Sequence, residues 1–154
     1  MTEDEIRTAL TGREVLSLTL YGESRGEPVE GSIAIACVIR NRAGGGQDVK
    51  DVCLAPHQFS CWNRDGSANH TAILAVAEQA LNQDHAASTN VDRVYAQCLW
   101  IADGVLSGVV LDRSFHATHY LERSLFETGT VSWASAMHVT TRIGRHVFLR
   151  SGAA

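Results

Sequence analysis

The chain has 154 residues, of which 45% are hydrophobic and 19% charged, and its formal net charge is −4. These values are typical of a globular protein, and we expect residues 1–154 to form one domain and to act as a monomer. The negative charge argues against nucleic-acid binding, which usually needs a basic surface, and no apolar run reaches the roughly 18 residues of a membrane-spanning helix. We therefore expect neither a nucleic-acid partner nor membrane insertion.

The N-terminal sequence MTEDEIRTAL is acidic and lacks the basic and apolar segments of a secretory signal. We therefore expect the protein to be made in the cytoplasm, so that a target outside the cell would require release by another factor. The apolar surroundings of Cys37 and Cys98 predict buried thiols. Cys53 and Cys61 flank a loop, where either a disulfide or two reduced thiols would fit, and the lack of a signal favours reduced thiols.

Helix signals dominate the first two thirds of the chain. Thr2 and Glu5 form a capping-box pattern before the first of five predicted helices. The predicted ranges are about 3–10, 13–24, 28–43, 71–83 (from Thr71 to Gln83) and 91–106, the last with Asn90 as N-cap. The helix from Pro28 is apolar almost all round and ends before Gly44, which indicates a central buried helix. Residues 44–70 are predicted to form a long loop.

The last third of the chain has the alternation typical of β-structure. The segment MHVTTRIGRHVFLR, residues 137–150, predicts a hairpin with its turn at Ile143 and Gly144. A short extended piece near 118–121 is expected to join it. The predicted fold class is α+β, mostly helical, with a small antiparallel β element near the C-terminus.

The segment YGESRGEP, residues 21–28, places two carboxylates between two apolar stretches. At roughly 100° per residue, Glu23 shares a helix face with the inward-facing Leu16 and Leu20. A carboxyl on such a face is costly when ionised, and a carboxyl that holds its proton can act as a general acid. The alternative is that Glu23 pairs with Arg25 or Arg40, or caps the following helix.

Four separated blocks in the same order resemble the SleB/CwlJ-type cell-wall hydrolases, the spore cortex-lytic enzyme family. The blocks are LYGESRGEPVEGSIAIACVIRNR, APHQFSCW, ATHY and WASAMHVTTRIGRHVF, and together they span about residues 13–149. The resemblance implies a fold similar to lysozymes and soluble lytic transglycosylases, and cleavage of peptidoglycan glycan strands. It places the catalytic glutamate at Glu23 and a second acidic position at Glu27. We expect neither a secretory signal nor a separate wall-binding domain, and this expectation suggests a phage or prophage lysis enzyme rather than a spore enzyme.

The resemblance also implies a mechanism. Lytic transglycosylases use one glutamate, which protonates the leaving oxygen and then deprotonates the C6 hydroxyl of the muramic residue, giving a 1,6-anhydro end. Glu23 would be both the acid and the base. We expect peptidoglycan as the partner and no metal or other cofactor.

The loop after the central helix carries side chains suited to a sugar-binding groove. Gln58 and Ser60 can hydrogen-bond sugar hydroxyls, and Phe59 and Trp62 can present flat apolar faces to sugar rings. The alternative for the two aromatic residues is that they pin the loop to the core. On the opposite wall we expect His119 and Tyr120, and the alternative for this pair is a surface histidine and a core tyrosine. The candidate substrate-binding residues are therefore Gln58, Phe59, Ser60, Trp62, His119 and Tyr120.

Three other functions remain open from the sequence. Cys61 followed by Trp62 is similar to the Cys-Trp pair of papain-like peptidases, with His116 or His119 downstream, which would give a wall peptidase or amidase. The His116–His119 pair has the spacing of part of a zinc site and could belong to a zinc amidase. A non-catalytic glycan-binding or virion structural protein of the same fold is the third alternative.

Overall fold

The computed structural model describes residues 1–82 and 93–152, and these contain eight α-helices and three β-strands. The helices of the larger, N-terminal part are α1 Glu3–Ala9, α2 Gly12–Glu23, α3 Val29–Ala43, α4 Val49–Leu54, α5 Ala68–Asn82 and α6 Arg93–Leu106. The remaining elements are β1 His119–Glu122, α7 Arg123–Glu127, α8 Ser132–Ser135, β2 Met137–Ile143 and β3 His146–Ser151. The predicted α+β class, mostly helical with a small antiparallel sheet near the C-terminus, is confirmed.

Side-chain caps begin the first two helices. Thr2 and Glu5 form the predicted capping box of α1, and Thr11 and Glu14 form a second capping box at α2. Each box pairs two backbone N–H groups that the first helical turn would leave unpaired. The second box fixes where α2 begins, and this helix of 12 residues ends at Glu23.

The α3 helix is the centre of the core, as predicted. Residues 34–39 are all buried, and Pro28 is the N-cap, so the helix begins at Val29, one residue later than predicted. Removing a side chain such as Ile35 or Ile39 from water stabilises the fold by roughly 1.5–3 kcal/mol each. Because α3 is covered on all sides, its two ends are rigid points from which the neighbouring loops can be positioned.

The predicted long loop over residues 44–70 is wrong in part, because this segment contains α4 and a 3₁₀ helix over Ser60–Trp62. Asp48 caps α4 by accepting a hydrogen bond from the backbone N–H of Lys50. The α5 helix begins at Ala68, three residues earlier than predicted. The predicted end of that helix at Gln83, the start of the next at Val91 and its Asn90 cap lie outside the described residues.

The three strands form an antiparallel sheet in the order β1-β3-β2, so the predicted hairpin and the extended piece are joined in one sheet. One face of the sheet carries Tyr120, His146 and Phe148, and Phe148 belongs to the main helical core. The other face carries Leu121, Val147 and Leu149, which form a second small core with residues from α7 and α8. These two short helices were not predicted. Among the described residues, no helix has the length and apolarity to cross a membrane.

Candidate active site

Glu23 is the last residue of α2, and its carboxylate is held by the segment that contains the 3₁₀ helix. Its Oε1 accepts hydrogen bonds from the backbone N–H of Cys61 at 3.0 Å and from the Ser60 hydroxyl at 3.2 Å. No backbone N–H or hydroxyl group of residues 1–82 and 93–152 donates a hydrogen bond to its Oε2, although the Cys61 thiol also lies within reach of the carboxylate. One carboxylate oxygen is therefore fixed, and the other is left for a bound molecule.

The ion pairs considered for Glu23 do not form. The Arg25 guanidinium lies over the Tyr21 ring, 4.9 Å from its centroid, and donates a hydrogen bond to Asn69. Arg40 donates to the backbone carbonyl of Val105 at 2.8 Å. Within the described parts of the chain, no basic side chain forms an ion pair with Glu23, so its charge is not neutralised by a neighbouring cation.

Gly22 lets the loop approach the end of α2 closely. A Cβ atom at this position would lie 2.5 Å from Cys61 Cβ and 2.9 Å from Cys61 Sγ. Contacts under about 3 Å between such atoms require one group to move, so any larger residue would push the loop away. The glycine before Glu23 is therefore a condition for the hydrogen bond between Cys61 and Glu23.

Two aromatic residues of the predicted groove lie in the core instead. Phe59 is 2% exposed and Trp62 is 4% exposed. The Trp62 indole donates a 2.8 Å hydrogen bond to the hydroxyl of Thr19, which is also buried. The prediction that these rings present open faces to sugars is therefore corrected, and the rings fix the loop against α2.

The polar residues of the same loop are placed differently. Gln58 and Ser60 are both exposed, and the Gln58 side-chain carbonyl accepts a hydrogen bond from the Arg42 guanidinium at 3.3 Å. Ser60 contacts Glu23 directly. The loop therefore places Ser60 on the carboxylate and Gln58 on Arg42, while its aromatic residues point inward.

Tyr120 comes to the site from the sheet. Burial raises the pKa of the Tyr120 phenol well above its usual value, and the charge of nearby Glu23 raises the pKa further. The phenol ring also packs edge-on against His146, with 5.1 Å between ring centroids. Tyr120 is therefore a neutral hydroxyl at neutral pH, within the electrostatic reach of the Glu23 carboxylate.

His119 points to the opposite face of the sheet, because adjacent strand residues alternate. Its ring packs against Trp133 at a centroid distance of 5.3 Å, and Nδ1 lies 2.9 Å from the Thr118 hydroxyl. Burial, together with the charge of Arg42, lowers the pKa of His119. The prediction that His119 and Tyr120 line one wall together is therefore corrected: they share a strand but not a face.

Arg42, in the last turn of α3, connects the loop to the sheet and was missed in the sequence. Its Nε donates a 2.6 Å hydrogen bond to the Thr118 carbonyl, and its Nη1 bonds Gln58. The guanidinium also lies 5.6 Å from the centroid of the Phe59 ring. A basic residue near a helix C-terminus is a common feature of surface helices, so no local signal distinguished it.

The surroundings of Glu27 differ from those of Glu23. Its side chain is 1% exposed, and the Arg145 side chain donates to Oε1 at 2.7 Å while the Arg145 backbone N–H donates to Oε2 at 3.2 Å. Burial alone would raise the pKa of Glu27, but the hydrogen bonds from Arg145 and the nearby His146 lower it. Glu27 is therefore an ionised, enclosed carboxylate that joins the start of α3 to the hairpin turn.

The cysteines have the properties of core residues. Cys37, Cys53, Cys61 and Cys98 are all free and buried. Burial raises the pKa of the Cys61 thiol, with a further contribution from Glu23, and burial raises the pKa of Cys53 to about 12. Since the thiolate is the reactive form, these surroundings argue against the Cys61 nucleophile of the peptidase alternative.

Residues 1–82 and 93–152 contain no cluster of three or more His, Cys, Asp or Glu side chains arranged for a metal ion.

Comparison with known proteins agrees with this geometry. The sequence model of the cell wall hydrolase family matches residues 26–149. The structure is similar to the catalytic domain of the germination-specific lytic transglycosylase SleB from Bacillus anthracis, with a TM-score of 0.58 and 23% identity over 92% of this chain and 98% of that one. It is also similar to the catalytic domain of the Bacillus cereus SleB protein, with a TM-score of 0.56 and 25% identity over 90% of this chain and 89% of that one. No curated protein sequence matches the chain.

The family match and the likeness to SleB catalytic domains indicate that this helical domain with a small sheet is an enzyme of the glycosidase class. Because the family match covers most of the chain, the protein belongs to the cell wall hydrolase family and is a peptidoglycan-degrading enzyme. The match begins at Gly26, so Glu23 lies just before the matched segment.

Proposed function

We propose that the protein cleaves peptidoglycan between N-acetylmuramic acid and N-acetylglucosamine as a lytic transglycosylase, with Glu23 as the general acid and base. The observation that carries this proposal is the contrast between the two carboxylates. Glu23 has one oxygen held by Cys61 and Ser60 and one that accepts no hydrogen bond from an N–H or hydroxyl group of the described residues, whereas both oxygens of Glu27 are bonded to Arg145. Glu27 is therefore not available as the second carboxylate that ordinary glycosidases require.

A single carboxyl can complete the reaction without consuming water. Glu23 donates its proton to the glycosidic oxygen while the bond from that oxygen to C1 of the muramic residue breaks. The acetamido oxygen of the substrate stabilises the positive charge at C1. The Glu23 carboxylate then takes the proton from the C6 hydroxyl, and O6 forms the new bond to C1. The product is a 1,6-anhydro muramic end, and Glu23 regains its proton.

The neighbours of Glu23 suit these two steps. The hydrogen bonds to Oε1 orient the carboxyl so that the other oxygen meets the substrate, and such positioning is the main requirement for proton transfer. Tyr120 adds a neutral hydroxyl that can donate to a sugar oxygen without adding charge. Ser60 and Gln58 add exposed polar groups on the loop side.

Digestion of purified sacculi in water enriched in oxygen-18 tests the proposal. Transglycosylation gives muropeptides that are one water lighter than hydrolysis products and carry no label, and mass spectrometry measures both properties. Labelled reducing ends would contradict transglycosylation while still supporting a glycosidase. Binding of wild-type protein to sacculi without any release would favour the glycan-binding alternative.

The assignment of Glu23 is tested by Glu23→Gln. This variant keeps the shape of the side chain but cannot donate a proton to the leaving oxygen, so we expect release of soluble muropeptides to fall by at least about 10²–10⁴-fold. Glu30→Gln is the matched control, because Glu30 is exposed in the first turn of α3. Near wild-type release by Glu23→Gln with an unchanged melting temperature would contradict the assignment.

We further propose that the protein is made in the cytoplasm and reaches the wall during cell lysis. Fractionation of producing cells before and after lysis would test this location, with the protein expected in the cytoplasmic fraction beforehand.

A further inference from the structure

The carboxylate of Asp112 holds the segment between α6 and β1 in place, and this segment is separate from the Glu23 site. Asp112 accepts hydrogen bonds from the backbone N–H groups of Ser114 and His116, from the Ser114 hydroxyl and from the Asn41 side chain, at 2.6–3.0 Å. Burial alone would raise the pKa of Asp112, but these hydrogen bonds lower it to about 2. These hydrogen bonds therefore fix the backbone of the segment, and Asp112 is ionised at neutral pH.

This shape forces two consecutive residues into an unfavourable backbone conformation. Phe115 has φ of 54° and His116 has φ of 65°, both in the left-handed region that residues other than glycine rarely adopt. Packing of the side chains does not compensate for this strain, because Phe115 is 61% exposed and the His116 side chain is 84% exposed. Strain that no burial offsets often marks a functional site.

The two strained residues border a surface cavity of about 520 Å³ whose other side is the sheet. The sheet contributes His138, Val139 and Thr140 from β2, and Arg150 from β3. The Thr140 hydroxyl donates a 2.7 Å hydrogen bond to the Ser114 carbonyl, which holds the segment against β2. The cavity is therefore bounded by an aromatic ring on one side and a guanidinium on the other.

The charges around this cavity are unbalanced. Arg150 is exposed and forms no ion pair with any residue that the structure describes, and no Asp or Glu lines the cavity. His138 Nε2 lies 3.2 Å from the Gly152 carbonyl. His116 Nδ1 lies 3.9 Å from Oδ2 of Asp112, a carboxylate that already accepts several hydrogen bonds. An aromatic side chain and an exposed guanidinium that line the same cavity suit a sugar unit that carries a carboxylate, because arginine binds carboxylates with two parallel hydrogen bonds.

We propose that Phe115, His116 and Arg150 form an accessory binding site for a muropeptide unit of the glycan strand, with the sugar ring on Phe115 and a stem-peptide carboxylate on Arg150. This site rests on the proposed function for the identity of its ligand. It lies on the side of the sheet bordered by β2, away from the hairpin turn that contacts Glu27. The site would therefore hold a unit of the strand that is distinct from the bond being cut.

Substitution of glycine for the strained residues separates a binding role from a structural one. Glycine adopts these φ values without strain, so Phe115→Gly is expected to raise or maintain the melting temperature while it weakens binding. A structural role for Phe115 would instead lower the melting temperature. Arg150→Gln is expected to weaken binding without a change in stability, and Arg142→Gln, an exposed arginine elsewhere on β2, is the matched control.

Binding is measured in a Glu23→Gln background, so the result does not depend on turnover. The probes are a purified disaccharide tetrapeptide and neutral chitotetraose, titrated by calorimetry. We expect Arg150→Gln to weaken tetrapeptide binding about 3–10-fold with no effect on chitotetraose, and Phe115→Gly to weaken both. Unchanged tetrapeptide binding in both variants would overturn the site.

Two further outcomes have separate meanings. Hydrofluoric acid strips teichoic acid from sacculi, and we expect the protein to bind stripped and untreated sacculi equally well. If Arg150→Gln weakened binding to untreated sacculi but not to stripped sacculi, the ligand of Arg150 would be a phosphate and not a peptide carboxylate. That result would overturn the proposal as stated. Failure of wild-type protein to release muropeptides would reject the proposed function, whereas the binding result would still be measurable.

Discussion

The backbone N–H of Cys61 donates a 3.0 Å hydrogen bond to Oε1 of Glu23, and this bond joins the end of α2 to the loop on one side of the site. The two residues can approach only because glycine precedes Glu23. The Cys61 side chain occupies the space that a Cβ at position 22 would need. The position of the Glu23 carboxylate thus depends on the small size of the residue that precedes it.

Gly22→Ala is expected to lower both stability, by roughly 1–3 kcal/mol, and activity, because the loop must move away from the helix end. Gly45→Ala is the control, since a Cβ there would meet no atom within 4 Å. The double variant Gly22→Ala with Cys61→Gly removes the clash and should recover part of the lost activity. Thermal melting and muropeptide release measure the two effects, and an absence of recovery in the double variant would count against the packing argument.

Much of the helical part could be predicted because its signals are local. The capping pattern at Thr2, the apolar helix after Pro28 and the alternation around the hairpin each depend on residues close in sequence. The α4 helix was missed because six residues are too few to show a helical period. For the same reason the short α7 and α8 gave no recognisable pattern.

The site was harder to predict because its contacts are distant in sequence. Arg42 bonds Thr118 across 76 positions, and no local pattern announces such a contact. The separation of His119 from Tyr120, in contrast, follows from strand alternation and was available in the sequence. The burial of Phe59 and Trp62 could not be decided, because an aromatic residue in a loop is equally suited to a groove and to the core.

Glu27→Gln is expected to lower the melting temperature at pH 7, because the enclosed carboxylate loses its charge while its donors from Arg145 remain. Since the folded-state pKa of Glu27 is lowered, its contribution is complete above the unfolded pKa of about 4.3 and is lost as the pH falls through the lower folded value. The difference between wild type and variant should therefore shrink below about pH 4. Melting curves at pH 7, 5 and 3 measure it, and a difference that is constant across this range would show that the charge is not the cause.

Gly144→Ala tests the other side of the same contact. Gly144 has φ of 55°, and a Cβ there would overlap Glu27 Oε2. Gly129→Ala is the matched control, because Gly129 has φ of 68° but no atom within 4 Å of the added Cβ. Both variants carry the backbone strain, of order 1–3 kcal/mol, and only Gly144→Ala adds the overlap. In a Glu27→Ala background most of the excess destabilisation should disappear, leaving only the tight contact of the added Cβ with Pro28 Cδ at 3.0 Å, and an undiminished excess there would place the cause elsewhere.

Thiol reagents are expected to leave activity unchanged in the folded protein. The four cysteines are buried, and burial raises the pKa of Cys61 and that of Cys53, so little reactive thiolate forms at pH 8. Muropeptide release before and after iodoacetamide treatment measures this, with mass spectrometry to count modified thiols. Treatment in denaturant, where all thiols are accessible, is the control. Inactivation of the folded enzyme with one modified cysteine would restore the Cys61 alternative.

The order of the site residues along the chain has a consequence for synthesis. Glu23 leaves the ribosome before Tyr120 and before the turn that binds Glu27. Until the hairpin has been made, Glu27 has no Arg145 to enclose it, and Glu23 has no sheet opposite it. A nascent chain therefore carries Glu23 before the sheet residues near it have been made, so the site that we propose can form only after the hairpin has been synthesised.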